Sequence, residues 1–357
     1  MPRMGVGLTL ALLVGWTAVV SGQSSVQSSG SAAPAQSAEA QGSGPLAHAR
    51  DLMEHGKNDQ AIVELLRLEA TSPEHKGLAH ELGVAYYKKS NFPKAIEYLK
   101  KAVEQDAADS EGTQLLGLSY YLSGRPSEAI PYLEKVQGWY PRANVDAAYI
   151  LGVSYLQNKN YPMARKAFAR MFDLPPDSAA SYLFTARMLL RQEFQPIAEE
   201  YAQKAVALDP KLPLAHFLLG ELYMFKSQIP EAIGEFQKEM AINPAHAATY
   251  YKLADAYSRV QKYDDAERLL QRSIWLDSTA SGPYVLMAKV LLKKGEPELS
   301  ARAAQRALSM DSNNYVAHYL LGQAYQVLGN SAAADNEFKI SQQLQAKQTH
   351  SAEELSK

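Results

Sequence analysis

The chain has 357 residues, of which 46% are hydrophobic and 21% are charged, and its formal net charge is −2. This is the composition of an ordinary soluble protein, and it is long enough for a large core or several domains. The near balance of 36 basic and 38 acidic residues argues against a nucleic-acid-binding protein, which would carry a clustered basic excess. The lack of cysteine excludes disulfides, thiolate zinc sites, iron–sulfur clusters and a cysteine nucleophile.

Residues 1–22 have the pattern of a secretory signal peptide. Arg3 precedes an apolar stretch from Met4 to Val20, and small residues follow up to Gly22. The pattern predicts export to a bacterial periplasm or out of the cell, with cleavage near Gly22. The alternative is an uncleaved membrane anchor, because an apolar run of roughly 17 residues reaches the shortest length that spans a bilayer. Only in that case is a membrane a partner.

Two further segments are predicted to lie outside the folded part. Residues 23–44 are rich in Ser, Gln, Ala and Gly and carry almost no large apolar side chain. Such a segment cannot bury enough surface to offset the entropy of the chain, so we predict a disordered linker. Residues 349–357 form a polar C-terminal tail, which we expect to fray beyond the capping end of the last helix.

A 34-residue period governs the rest of the chain. Steps of 34 residues from Gly83 in both directions, with one insertion at Asn144, land on a small residue nine times. These residues are Ala49, Gly83, Gly117, Gly152, Ala186, Gly220, Ala254, Ala288 and Gly322. Three residues after each lies Tyr or Leu, twelve after lies Ala or Ser, and sixteen after lies Leu, Phe or Ala. Several columns that share one register indicate tandem repeats.

Each repeat is predicted to be a helix–turn–helix unit. Apolar residues recur at helical spacing on both sides of a short polar break such as LSGRP. A proline stands at the start of the second helix in six units, where its missing N–H costs nothing. These prolines are Pro93, Pro126, Pro162, Pro196, Pro230 and Pro297. The small columns allow the two helices of a unit to cross closely.

The columns resemble the tetratricopeptide repeat family. The resemblance covers residues 42–348 and implies an all-α fold, a right-handed α-solenoid over residues 45–348 with the first helices on the concave side. One unit cannot bury its own apolar face, so neighbouring units must stack. The nine units are expected near residues 42–75, 76–109, 110–143, 145–178, 179–212, 213–246, 247–280, 281–314 and 315–348.

In this family the second, fifth, ninth, twelfth and thirteenth positions of each unit line the concave groove. On this chain they predict an aromatic and apolar wall that becomes charged at the ninth position from unit five onward, and such a wall suits an apolar peptide. The candidate groove residues are Tyr87, Leu118, Tyr121, Tyr149, Leu156, Leu183, Arg187, Phe217, Met224 and Tyr251. The alternative for the apolar residues is packing between helices, and for the ninth position a solvated face with ion pairs such as Arg187 with Glu221.

The sequence contains no P-loop, no G-x-S-x-G and no H-E-x-x-H motif, and its eight histidines are scattered. We therefore predict a non-enzymatic interaction scaffold without a cofactor or metal, whose partner is a protein or peptide and not a nucleic acid. Two alternatives stay open. The tyrosines could stack on the rings of a glycan or small molecule, or the chain could be a structural protein that associates with itself.

Overall fold

The computed structural model describes residues 44–139, 145–192 and 195–355. The predicted signal peptide and nearly all of the predicted linker lie outside these residues. The described ranges contain eighteen α-helices and no β-strand, which confirms the all-α class. The helices are α1 (Pro45–Glu54), α2 (Asn58–Thr71), α3 (Leu78–Lys88), α4 (Phe92–Gln105), α5 (Ser110–Leu122), α6 (Pro126–Trp139), α7 (Val145–Gln157), α8 (Tyr161–Met171), α9 (Ala179–Arg191), α10 (Gln195–Leu208), α11 (Ala215–Phe225), α12 (Ile229–Ile242), α13 (Ala247–Arg259), α14 (Tyr263–Leu276), α15 (Ser281–Lys294), α16 (Pro297–Met310), α17 (Tyr315–Val327) and α18 (Ser331–Leu355).

The helices form hairpins that stack into a solenoid. The most extensive contacts join the two helices of one hairpin, and each second helix also packs on the first helix of the next hairpin. Most neighbouring first helices touch one another, as α3 does with α5 and α13 with α15. In the described ranges no two second helices make a comparable contact. The first helices are therefore closer together and line the inner side of the curve, and we call this surface the inner face.

The turn inside each hairpin follows from local backbone chemistry. The residue seven positions after the small residue has a positive φ wherever that turn is described, at Gly56, Ser90, Gly124, Lys159, Ser227, Gln261, Gly295 and Gly329. This left-handed residue ends the first helix. Its own N–H and that of the next residue bond back to the helix, as Ser90 N does to Tyr87 O at 2.8 Å and Asn91 N to Tyr86 O at 2.9 Å. The second helix then starts with an N-cap such as Asn91, whose side chain accepts from Lys94 N.

The crossing of the two helices in a hairpin sets its geometry. The small residue of the first helix faces the residue sixteen positions later on the second helix. A Cβ added at Gly220 would lie 2.5 Å from the ring of Phe236, which is fully buried. Gly152 faces Phe168 and Gly322 faces Phe338 in the same way. Glycine is therefore required where the opposing residue is Phe, because a methyl group has no room there.

Tyrosines three positions after the small residue connect successive hairpins. The Tyr257 hydroxyl accepts a hydrogen bond from Gln237 Nε2 at 2.9 Å, and Tyr325 accepts from Gln305 in the same way at 2.9 Å. Tyr155 donates to the carboxylate of Glu134. Each of these bonds runs from a first helix to the second helix of the preceding hairpin. The apolar ring stays in the core while the hydroxyl reaches a polar partner at the junction.

The C-terminal end differs from the prediction of a frayed tail, because α18 continues to Leu355 and includes most of residues 349–357. No proline or glycine interrupts this stretch, and Gln, Ala, Lys, Glu and Leu are good helix formers. Ser341, beyond the crossing, is buried and donates to Tyr315 O at 2.8 Å, which fixes the middle of α18 to the start of α17. Among the described helices, α18 included, none is both apolar enough and long enough to pass through a bilayer.

The hairpin of α11 and α12 contains one glycine at the crossing and one away from it. Replacing each by alanine tests whether the crossing requires glycine. Replacing Gly220 by Ala should destabilise the protein by about 1–3 kcal/mol, because the new methyl group collides with the ring of Phe236. Gly234 lies within α12, and a methyl group added there would meet no atom within 4 Å, so Gly234→Ala should stabilise by about 0.5–1 kcal/mol through helix propensity. Urea unfolding followed by circular dichroism measures both changes. Equal effects of the two substitutions would contradict the proposed role of the crossing.

Candidate functional site

Four of the predicted groove residues form one continuous surface on the inner face. Tyr87 lies on α3, Leu118 and Tyr121 lie on α5, and Tyr149 lies on α7, and these three helices touch in sequence. All four side chains are half-buried and pack against the largest apolar cluster of the protein. We call these residues the aromatic segment. Each side chain is therefore held by the core on one side and keeps part of its surface exposed.

Two hydroxyl groups of the aromatic segment, those of Tyr87 and Tyr121, have a raised pKa and remain protonated. Burial raises the pKa of Tyr121, and the neighbouring Tyr149 raises it further. Burial also raises the pKa of Tyr87, and the carboxylate of Asp146 at the start of α7 acts in the same direction. A protonated phenol can donate a hydrogen bond to a carbonyl group and accept one from an amide. The segment therefore combines apolar contact area with hydrogen-bonding groups that suit a peptide backbone.

Three predicted groove residues do not reach the surface. Leu156, Leu183 and Met224 are buried, with at most 9% of each residue exposed, and belong to the apolar clusters between the helices. The prediction that they line the groove is therefore wrong. These three side chains instead pack between neighbouring helices, which is the alternative that the sequence left open for the apolar positions.

Phe217 and Tyr251 lie further along the inner face and are half-buried. The ring of Phe217 packs against Phe236 at 5.8 Å and edge-on against His246 at 5.0 Å between ring centroids. Tyr251 leans toward the start of α15, where a Cβ on Gly282 would lie 3.5 Å from its hydroxyl. These two rings are thus separate from the aromatic segment and belong to the α11–α15 part of the inner face.

The ion pair between Arg187 and Glu221 that the sequence suggested does not form. Arg187 is exposed on α9 and forms no ion pair with the described residues, whereas Glu221 pairs with Lys252 at 3.0 Å. Burial lowers the pKa of His246 below its ordinary value of 6.5; the positive charge of Arg187 acts in the same direction, against the carboxylates of Glu239 and Glu221. Arg187 is therefore close enough to act electrostatically on α13 without being neutralised.

Three further exposed cations lie on the inner face: Arg191, Lys289 and Lys293. Lys289 occupies the ninth position, which the sequence predicts to be charged from unit five onward, whereas Arg191 and Lys293 occupy the thirteenth position and were not among the candidate residues. A pattern in the sequence indicates these residues: two basic residues stand four positions apart, and so on the same side of one helix. The pairs are Arg187 with Arg191 on α9 and Lys289 with Lys293 on α15. In the described part of the chain, no group of three or more His, Asp or Glu side chains is arranged to hold a metal ion.

Comparison with known protein families agrees with this architecture. A family model described as tetratricopeptide repeat matches residues 46–110, 151–213 and 285–335, which together make half of the chain. A second tetratricopeptide repeat model matches residues 249–284, and a model described as anaphase-promoting complex, cyclosome, subunit 3 matches residues 88–171. The fold is thus an all-α solenoid of stacked helical hairpins. The chain belongs to the tetratricopeptide repeat family.

Individual similar proteins are distant. Human cilia- and flagella-associated protein 70 is 31% identical over an alignment of 171 positions, which covers 42% of this chain and 15% of that protein. The structure of the APC/C hetero-tetramer Cut9–Hcn1 has 21% identity and a TM-score of 0.44, with 78% of this chain and 55% of that chain covered. YrrB, described as a TPR protein with an unusual peptide-binding site, has 19% identity and a TM-score of 0.43, with 50% and 90% covered. At these values none of them assigns a function to this chain.

Proposed function

We propose that the protein is a non-enzymatic scaffold that binds a peptide or a segment of a partner protein on its inner face. Tetratricopeptide repeat proteins mediate protein–protein interaction, and family members are typically scaffolds rather than enzymes. The observation that carries the proposal for this chain is the aromatic segment. Its three tyrosines and Leu118 are neighbours on three touching helices and are held in place by the core.

The chemistry of the aromatic segment favours a peptide with apolar side chains. Rigid tyrosine rings give a large contact area at a low cost in side-chain entropy. Their hydroxyl groups can satisfy the backbone N–H and C=O groups of a bound segment, which an aliphatic wall could not do. Exposed apolar surface that is continuous and framed by charges such as Asp146 is typical of a binding site.

We further propose that all nine hairpins are tetratricopeptide units and that the protein is exported. The matched helix pairs and the unbroken 34-residue register support the first proposal. The n-region, apolar stretch and small residues of residues 1–22 support the second. The intact mass of the protein purified from the cell envelope or culture medium should correspond to a chain that begins at Gln23. A chain that begins at Met1 would contradict cleavage and favour the membrane anchor.

Alanine at two positions of the aromatic segment tests the binding site. Peptides selected by phage display on the full chain should lose at least about tenfold in affinity for a Tyr121→Ala/Tyr149→Ala variant, because truncated aromatic anchors typically cost more than 1 kcal/mol each. The measurement is isothermal titration calorimetry with the selected peptides. Circular dichroism should show that the variant keeps its helices, since both side chains are only half-buried.

The matched control is Trp275→Ala on α14. Trp275 is 72% exposed on a second helix, where it lies beside Arg272, and it is therefore away from the inner face. Its removal should leave the affinity for the selected peptides unchanged within about twofold. Affinity that survives the double substitution, or that falls equally with Trp275→Ala, would contradict binding at the aromatic segment.

A further inference from the structure

The first helices from α9 to α15 expose very few side chains. The exposed residues of α9 are Arg187 and Arg191, and those of α15 are Lys289 and Lys293. In each pair the two cations are four residues apart, so they stand above one another on the same side of the helix. The other sides of these helices pack against the second helix of the hairpin and against neighbouring hairpins. Both pairs of cations therefore face the open side, the inner face.

The two acidic residues between these pairs are already neutralised. Glu221 on α11 pairs with Lys252 at 3.0 Å, and Asp255 on α13 pairs with Arg259 at 3.0 Å. None of the four cations on α9 and α15 forms an ion pair with a described residue. Like charges four residues apart destabilise a helix slightly. An anionic partner would remove this repulsion at both ends of the surface, and we call these four residues the cationic segment.

We propose that the cationic segment binds an acidic stretch of polypeptide, so that the bound partner of the inner face carries carboxylates as well as apolar side chains. This inference rests on the proposed function, because it names the chemistry of the partner at the same face. Neighbouring packed helices are on the order of 10 Å apart, so α9 and α15 are separated by roughly 30 Å. An extended peptide covers this distance with about nine residues. The matching partner therefore has two acidic clusters about nine residues apart.

The geometry favours a polypeptide over other polyanions. Duplex DNA carries one charge per about 1.7 Å, so a DNA-binding groove needs a far denser basic lining than two cation pairs separated by neutralised acids. The chain as a whole has a net charge of −2, which gives no long-range attraction for nucleic acid. A flat bilayer cannot enter the inner side of a curved stack of helices. Widely spaced carboxylates on a flexible peptide fit both the spacing and the shape.

The test uses a fluorescein-labelled peptide with two Glu-Glu pairs separated by seven Gly and Ser residues, and fluorescence anisotropy with the full chain. The peptide should bind, its affinity should fall as salt rises, and a Gln-for-Glu peptide should bind at least tenfold more weakly. Arg187→Glu/Arg191→Glu and Lys289→Glu/Lys293→Glu should each weaken binding at least tenfold. Arg187→Gln/Arg191→Gln is a milder variant for the case in which charge reversal disturbs folding, as judged by circular dichroism.

The matched control is Lys166→Glu/Lys339→Glu, which makes the same change in net charge. Both lysines are exposed on second helices, α8 and α18, and neither forms an ion pair with a described residue. This control should bind the acidic peptide within twofold of the parent chain. Equal weakening by the control, or unchanged binding by both inner-face variants, would overturn the cationic segment as a site.

Two further outcomes separate the inference from the proposed function. If the selected apolar peptides still require Tyr121 and Tyr149 while the Glu peptide fails to bind, the acidic specificity is wrong and the scaffold proposal stands. If neither kind of peptide binds, both proposals fail. A 20-nucleotide single-stranded DNA that binds more tightly than the Glu peptide, and loses affinity with the same inner-face variants, would overturn the assignment to a polypeptide.

Discussion

The structure depends on the close crossing of the two helices within each hairpin. Phe occupies the second-helix side of the crossing only where the first helix has glycine, at Gly152, Gly220 and Gly322. Where the first helix has alanine, the opposing residue is smaller: Leu65, Ala202, Leu270 or Ala304, all fully buried. Leu also stands opposite glycine, at Gly83 and Gly117, so Leu occurs with either small residue and Phe with glycine alone. Close-packed interiors tolerate little change in volume, so the size of Phe is compensated by the missing methyl group of glycine. The hairpin geometry is thereby kept constant, and constant hairpins can stack into a regular solenoid.

The second requirement is the junction between hairpins, where six of the 21 tyrosines stand three positions after the small residue. Three of the nine phenylalanines fill crossings, where no polar partner is needed. Tyr257 and Tyr325 stand at junctions, where the hydroxyl bonds to a glutamine of the preceding second helix. On the inner face the same residue type acts differently, since the tyrosines of the aromatic segment are half-buried and leave part of each side chain exposed. One residue type thus connects the units and also supplies the candidate binding surface.

The sequence predicts the helical hairpins well because each column is sampled in nine units, so an exception such as Ser300 does not hide the register. The site is predicted less well because burial depends on how far neighbouring helices cover a position. Leu156 and Tyr121 occupy the same position in adjacent units, yet Leu156 is fully buried and Tyr121 is half-buried. Ion pairs also depend on how neighbouring helices pack, which the spacing along one helix does not show. Glu221 bonds to Lys252 on the next first helix, which leaves Arg187 available, and no spacing rule along one helix indicates this.

A double-mutant cycle at one crossing tests the central claim that the two sides compensate each other. Phe236→Leu in the Gly220→Ala background recreates the Ala–Leu crossing that occurs at Ala49 with Leu65 and at Ala254 with Leu270. The free energies of unfolding of the parent, the two single variants and the double variant should give a coupling energy of about 1–3 kcal/mol, with the double variant more stable than Gly220→Ala alone. Additive effects of the two substitutions would contradict the claim that this crossing determines the hairpin.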